Sequence, residues 1–244
     1  MSLLRRALAI REGACGGTSE EGGRLVAGDE ASEEALAVND QLARALVEAR
    51  MGDAAVAALR KSLQMKKVLH GPESQEIADC HNELAVALQQ FGQPELAEQE
   101  ARAALALHIE LFGEGHLHTA TCLANLATLM TAQAKYHPAE TLLRHCIVIY
   151  EGQLGPTHED SVEVLANLVD VLWHLRRLEE ACKLLGRQLE LQAQQPSIDP
   201  IVLAQGHAAL AALHWERADP TSAITSFRVA EINYQVRARE PPRF

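Results

Sequence analysis

Apolar residues recur along the chain in stripes of helical spacing, and the stripes come in pairs. Residues 119–133 place one stripe on a single helical face, formed by Leu123, Leu126, Ala127 and Met130. Residues 139–154 carry a second stripe, formed by Leu142, Leu143, Cys146, Ile147 and Ile149. Ala134-Lys135-Tyr136 reads as the turn between them, and Pro138 fits a first helical turn. The pattern predicts a hairpin of two antiparallel helices.

This hairpin recurs at an interval of 42 residues. The interval separates three glycines, five leucines and five alanines, namely Gly71, Gly113, Gly155; Leu42, Leu84, Leu126, Leu168, Leu210; and Ala55, Ala97, Ala139, Ala181, Ala223. Pro94 and Pro220 begin the second helix in their own units. A hairpin that cannot bury its apolar face alone buries it against its neighbours. We therefore predict five stacked units, near residues 32–71, 72–113, 114–155, 156–196 and 197–237.

The repeated alanines indicate where the two helices of a unit meet. They face a second set of small residues that follow the repeated leucines, namely Ala85, Ala127 and Ala211. Small side chains on facing positions let two helix axes approach closely. The predicted architecture is therefore an all-α solenoid of antiparallel helix pairs.

The ends of the chain depart from the repeat. LLRRALAIREGACG at Leu3–Gly16 nearly copies LLRHCIVIYEGQLG at Leu142–Gly155, which predicts an orphan second helix over residues 1–16. The alternative is a mitochondrial presequence, since three arginines precede any acid. Residues 17–31 are rich in glycine and acids and predict a loop. Residues 238–244 contain Pro241-Pro242 and predict a tail.

Composition narrows the classes of partner. Apolar residues make up 48% of the chain and aromatic residues 4%, which favours helices over strands. The formal net charge of −11 disfavours binding to nucleic acid and to an anionic membrane surface. No apolar run approaches the roughly 18 residues that span a membrane. Five cysteines without a CxxC pair predict buried thiols in a reducing compartment, so we expect a cytoplasmic protein.

Residues that could carry catalysis or bind a metal do not assemble into a motif. His116, His118 and Cys122 are the nearest approach to a zinc site, but a zinc site needs four converging ligands. Phosphate-binding loops, nucleophile elbows and HExxH sequences do not occur. We predict a protein that is not an enzyme and that uses no cofactor and no metal.

The repeat resembles the tetratricopeptide repeat (TPR), in its 42-residue kinesin light chain-like form. The resemblance rests on Ala124-Asn125-Leu126-Ala127, on Ala166-Asn167-Leu168, and on His116 and His158, each three residues after a repeated glycine. It covers roughly residues 33–237. It implies a right-handed solenoid, with a concave groove lined by the outward face of each first helix.

Carried onto this sequence, the resemblance implies a set of groove residues. They are Asp79, Asn82, Glu83, Asn125, Thr128, Asn167, Asp170, Trp173, His174 and Trp215. Stacked amides at 125 and 167 would offer donors and acceptors to an extended backbone, unless they bond within the scaffold. The two tryptophans, one period apart, would anchor a ligand at the groove edge, unless they fill the core between repeats.

The charge of this face selects a partner. The resemblance to kinesin light chains implies binding of acidic, tryptophan-containing peptides, which need a basic groove. Here the face carries Glu83, Asp170 and other acids, so we predict a scaffold that binds a neutral or basic extended segment. The alternative is a structural subunit that contacts partners through its ends or convex face. Apolar residues of the last helix, over Ala223–Val236, suggest a homodimer or assembly contact at the C-terminal end.

Overall fold

The computed structural model describes residues 32–195 and 198–239, and these form ten α-helices without strands. The predicted orphan helix (1–16) and loop (17–31) lie outside the described residues. The helices are α1 Glu33–Glu48, α2 Gly52–His70, α3 Gln75–Gln90, α4 Pro94–Phe112, α5 Leu117–Ala132, α6 Tyr136–Gln153, α7 Glu159–His174, α8 Leu178–Ala193, α9 Pro200–Glu216 and α10 Pro220–Arg239.

The helices follow the 42-residue interval at their starting points. All five second helices begin 42 residues apart, at Gly52, Pro94, Tyr136, Leu178 and Pro220. The first helices α1, α3, α5 and α7 begin at the same interval. The predicted all-α helical repeat solenoid is therefore confirmed.

Histidines cap two of the first helices. The Nδ1 atom of His116 accepts a hydrogen bond from the backbone N–H of His118 at 3.2 Å. His158, one period later, accepts from the N–H of Asp160 at 3.3 Å. A side chain that accepts from the first turn satisfies a donor that the helix leaves open. The recurring histidine therefore has a structural role at the start of the helix.

The core of each hairpin is built on the repeated small residues. Ala55, Ala97, Ala139, Ala181 and Ala223 have no exposed surface. The repeated leucines of α3, α5, α7 and α9 are also buried, and Leu42 of α1 is half-buried. Helices that meet through alanine pack closely, which is what the sequence pattern predicts.

The described residues divide into two compact units, the first ending at Gly113 and the second beginning at Glu114. In the first unit, Leu63 of α2 packs with Ile77 and Cys80 of α3, so a second helix contacts the following first helix. In the second unit, α6 packs on both α5 and α7, and α8 packs on both α7 and α9. Each unit thus builds its core between consecutive helices.

Some helix boundaries differ from the expectation. Helix α6 begins at Tyr136, three residues before the predicted start, because Pro138 is tolerated anywhere in the first turn. Helix α10 continues to Arg239, so residues 238 and 239 of the predicted tail are helical. Within the described ranges, no helix combines the length and apolarity needed to cross a membrane.

Candidate functional site

The predicted groove residues of the first unit lie on α3. Glu83 is exposed and Asn82 is half-buried. Asp79 is exposed, but its Oδ1 atom lies 3.4 Å from Nε2 of His108, near the end of α4. Asp79 thus contacts the second helix of its hairpin and stays exposed. Because α4 runs antiparallel to α3, its last turns lie beside the first turns of α3.

The same contact recurs one period later, in the second unit. Thr121 Oγ1 lies 3.0 Å from the hydroxyl of Tyr150, and these residues occupy the positions of Asp79 and His108. Tyr150 is buried, and burial raises the pKa of its phenol above the usual value of 10.0. This position on the first helix therefore joins the two helices of a hairpin.

The predicted amides and hydroxyl of the second unit lie on α5 and α7. Asn125 and Asn167 are half-buried, one period apart on these two helices. Thr128 is exposed, and its hydroxyl donates to the carbonyl of Ala124 at 3.0 Å. That bond stays within α5, so Thr128 presents chiefly its methyl group and an acceptor lone pair to solvent.

The structure brings three of the predicted residues together at the end of α7. The ring of Trp173 meets the ring of His174 edge to face, with centroids 4.7 Å apart. His174 stacks on Tyr136 of α6 at 4.4 Å, with the rings 10° from parallel. Asp170 lies one turn earlier, 3.9 Å from Nε2 of His174. Tyr136 was missed because the sequence assigned it to a turn.

Trp215 occupies the equivalent position at the end of α9, and 67% of its surface is exposed. Its neighbour Glu216 pairs with Arg176 at 3.1 Å, and Arg176 lies just beyond the end of α7. The ion pair thus connects the C-terminal ends of α7 and α9. We call the side chains of Tyr136, Trp173, His174 and Trp215 the aromatic edge.

The acids near the aromatic edge remain accessible. Asp170 is exposed, and Glu216 is partly screened by Arg176. Glu163 is also exposed, but it lies near the start of α7, away from the aromatic edge. No group of three or more potential metal ligands occurs within residues 32–195 and 198–239. The surface at the ends of α7 and α9 therefore combines aromatic rings with Asp170 and the Glu216–Arg176 ion pair.

The described cysteines are set apart from this surface. Cys80, Cys122, Cys146 and Cys182 are buried as free thiols. Burial raises the pKa of Cys80 to about 11 and that of Cys146 to about 12. Cys146 donates to the carbonyl of Ala120 at 3.2 Å. Cys80 and Cys146 are therefore protonated at neutral pH, and all four buried cysteines serve as packing residues.

Comparison with known proteins identifies the repeat. Residues 81–152 match the family model described as a tetratricopeptide repeat. No curated protein matches the sequence.

Solved structures share the fold over most of the chain. BtubC (BKLC) from P. vanneervenii superposes with a TM-score of 0.74 at 19% identity, over 86% of this chain and 84% of that chain. A kinesin light chain-type protein with nearly identical TPR-like repeats, from Podosopora anserina, superposes with a TM-score of 0.75 at 18% identity. The match covers 84% of this chain and 97% of that chain. PilF of Pseudomonas aeruginosa superposes with a TM-score of 0.56 at 23% identity, over 87% of this chain and 79% of that chain.

Identities at this level establish the fold and carry over no partner. Together with the helix starts at 42-residue intervals, they confirm the resemblance that the sequence indicates. Residues 81–152 are thus a tetratricopeptide repeat region, and the solenoid fold of the chain is of the kinesin light chain-like type.

Proposed function

We propose that the chain is a non-enzymatic scaffold or adaptor that binds an extended, neutral or basic peptide segment along its first helices. The repeat fold is that of protein–protein interaction scaffolds. In the second unit, the exposed side chains of α5, α7 and α9 would form the binding surface. The segment would lie across these helices and end at the aromatic edge.

The exposure of Trp215 is the observation that carries this proposal. A tryptophan with 67% of its surface in water has not been used for packing, and tryptophan is enriched among residues that dominate binding energy. Half-buried Trp173 holds the equivalent position on α7. Two such rings can take apolar side chains, or the flat face of a guanidinium group.

Charge and hydrogen bonding support the same class of ligand. Exposed Glu163 and Asp170 favour positive charge on the segment and raise its association rate. Asn125 and Asn167 offer amide donors and acceptors on successive first helices of the second unit. Such amides can pair with the backbone of an extended peptide, which makes affinity tolerant of its side chains.

A fluorescence titration tests the proposal. Lysine-containing and glutamate-containing versions of one tryptophan-free peptide are added to the chain, and Trp fluorescence is followed. The lysine version should bind more tightly, and its affinity should fall as salt rises from about 50 mM to about 300 mM. Tighter binding of the glutamate version would contradict the proposal.

Substitutions locate the binding surface. Trp215→Ala should weaken the lysine peptide by about 2 kcal/mol, which is more than tenfold. Asn125→Ala with Asn167→Ala should weaken it further. Val148→Ala is the matched control, because Val148 is an exposed apolar residue of α6, a second helix. Equal losses from the control and from Trp215→Ala would place binding elsewhere.

Contact through the C-terminal end is a second candidate function. Helix α10 exposes five large side chains, namely Ile224, Phe227, Ile232, Tyr234 and Val236. Large exposed apolar side chains gathered on one helix mark it as a candidate interaction site.

A further inference from the structure

Helix α10 leaves uncovered a surface that the earlier second helices bury. Phe227 and Tyr234 are 51% and 47% exposed. Leu143 and Tyr150 hold the same positions in α6 and are 1% and 5% exposed. In the second unit, α7 packs on α6 and covers it, whereas α10 is the last described helix. No described helix covers the corresponding face of α10.

The earlier repeats show what the corresponding face of a second helix contacts. Leu63 of α2 packs with Cys80 of α3. The equivalent pair in the second unit is Leu189 of α8 and Gly206 of α9, where a Cβ on the glycine would lie 2.3 Å from Leu189 Cδ2. An apolar residue of the second helix thus meets a small or apolar residue of the next first helix. That apolar residue recurs as Leu63, Leu105, Ile147 and Leu189.

In α10 the same position holds Glu231. Glu231 is exposed, and its carboxylate accepts a hydrogen bond from Gln235 at 3.3 Å. Around it lies an open groove between α9 and α10, which we call the end groove. Its other lining residues are mostly apolar: Ala208, Phe227, Ala230, Tyr234, Gln235 and Ala238.

The carboxylate changes which helix can occupy the end groove. Docking α1 of a second copy in the repeat register would place Val38, the equivalent of Cys80, on Glu231. Burying a carboxylate under a valine without a partner is costly, because the charged group loses its water. A helix with an arginine or lysine at this point would instead form a charge-assisted hydrogen bond to the carboxylate.

We propose that the end groove binds an amphipathic helix of a partner protein, with one basic residue set among apolar ones. Phe227 and Tyr234 take the apolar residues, and Glu231 pairs with the basic one. The inference rests on the second candidate function and adds the chemistry of the partner.

A polar cap explains the end groove less well. Terminal repeats of a solenoid need a polar outer face to stay soluble. Helix α10 has one acid at the stacking position, yet its large apolar neighbours Phe227 and Tyr234 stay about half exposed. A single charge surrounded by apolar residues does little to keep the end of the solenoid soluble. It does discriminate between partners, because a helix without a basic residue would leave the charge unpaired.

The chain itself supplies a probe for the experiment. Two helix-stapled, fluorescent peptides span residues 74–91, the segment around α3, with Cys80→Arg in one and Cys80→Leu in the other. Binding to the full chain is measured by fluorescence anisotropy at about 150 mM salt, where exposed charges are screened beyond about 8 Å. The arginine peptide should bind at least about tenfold more tightly than the leucine peptide. Its guanidinium group would pair with the Glu231 carboxylate, whereas the leucine would bury that carboxylate without a partner.

Variants separate the two parts of the proposal. Glu231→Leu should reverse the preference between the peptides. Phe227→Ser should weaken both at least about tenfold, as loss of an aromatic anchor does. Val148→Ala is the control, because Val148 is an exposed apolar residue of α6 that lines neither the aromatic edge nor the end groove. Phe227→Ser could weaken both peptides while the wild-type chain binds the two equally. That result would support binding of a helix at the end groove and would contradict the requirement for a basic residue in the partner.

Other occupants appear as defined outcomes that overturn the proposal. A homodimer in sedimentation analysis that Phe227→Ser dissociates would assign the end groove to a second copy. A tenfold gain in peptide affinity after deletion of residues 240–244 would assign it to the chain's own end. Failure of the arginine peptide to bind the full chain would reject the partner helix itself.

Discussion

One residue in every hairpin turn adopts a left-handed backbone. These residues are spaced by 42, with φ between 56° and 73°, and they are Arg50, Gly92, Ala134, Arg176 and Ala218. For an L-residue this conformation costs roughly 1–2 kcal/mol, because Cβ approaches the following carbonyl oxygen. The left-handed conformation therefore recurs in every described hairpin turn although the residue type changes. Of the five residues, only Gly92 adopts it without a steric cost.

Glycine substitution at these turns should stabilise the protein. Relief of strain in Ala134→Gly exceeds the added backbone entropy of the unfolded chain, so the free energy of unfolding should rise by about 0.5–1 kcal/mol. Gly92→Ala is the matched reverse change and should lower it by about 1 kcal/mol. Urea denaturation followed by circular dichroism measures both. Changes of the same sign would show that the turn conformation is misassigned.

His207 of α9 should make stability depend on pH. Burial lowers the pKa of its imidazole below the usual value of 6.5, so the folded chain binds this proton less readily than the unfolded chain. Stability from the neutral ring is then present above pH 6.5, and it is lost as pH falls below 6.5 toward the lowered pKa.

Replacement of the ring tests this dependence. The melting temperature should fall less between pH 7.5 and pH 5.5 in His207→Leu than in the wild type, because leucine does not titrate. His145→Leu, at an exposed site on α6, is the control and should leave the difference unchanged. An equal fall in wild type and His207→Leu would exclude His207 as the cause.

At the scale of the helices, the contact between α5 and α6 depends on a small side chain at Ala139. This residue has no exposed surface, so a larger side chain must displace its neighbours. Ala139→Leu should destabilise the protein by about 1–3 kcal/mol, measured by thermal and urea denaturation. Ala106→Leu makes the same change at an exposed site of α4 and should have little effect. Equal midpoints for Ala139→Leu and wild type would mean that the hairpin is loosely packed.

The sequence predicted the elements well because packing and backbone requirements recur with the repeat. The buried alanines, Pro94 and Pro220, and the glycines at the unit boundaries each mark a position with one structural need. The aromatic edge was predicted only in part. Trp173 and His174 follow from the helical period, whereas the stack of His174 on Tyr136 depends on where α6 begins.

Asp79 shows the limit of reasoning from a helical wheel. A wheel gives the direction of a side chain from its own axis and contains nothing about the neighbour's length. His108 reaches Asp79 from near the end of α4, a helix of 19 residues beside one of 16. The contact depends on how two helices overlap, which periodicity within one helix does not encode.

At the scale of the whole molecule, stability is built from local contacts. Within each unit, a helix packs chiefly on the helices before and after it in the chain. Ion pairs reach one helix further: Arg144 of α6 pairs with Glu140 of its own helix at 2.8 Å and with Glu180 of α8, the next second helix, at 2.5 Å. In a linear array of this kind, stability is close to a sum over repeats and their neighbour interfaces.

That locality predicts unequal protection from hydrogen exchange along the chain. Helix α6 packs on α5 and α7, whereas α10 packs chiefly on α9 and exposes Phe227 and Tyr234. Opening α10 therefore breaks one interface, and opening α6 breaks two.

Amides in the middle of α10 should exchange at least about tenfold faster than those in α6, in deuterium exchange followed by mass spectrometry. Tenfold corresponds to about 1.4 kcal/mol, less than one helix interface is expected to contribute. The arginine peptide should slow exchange in α10 and leave α6 unchanged, because it supplies the missing interface at the end groove only. Equal protection of the two helices in the free chain would mean that α10 is already covered.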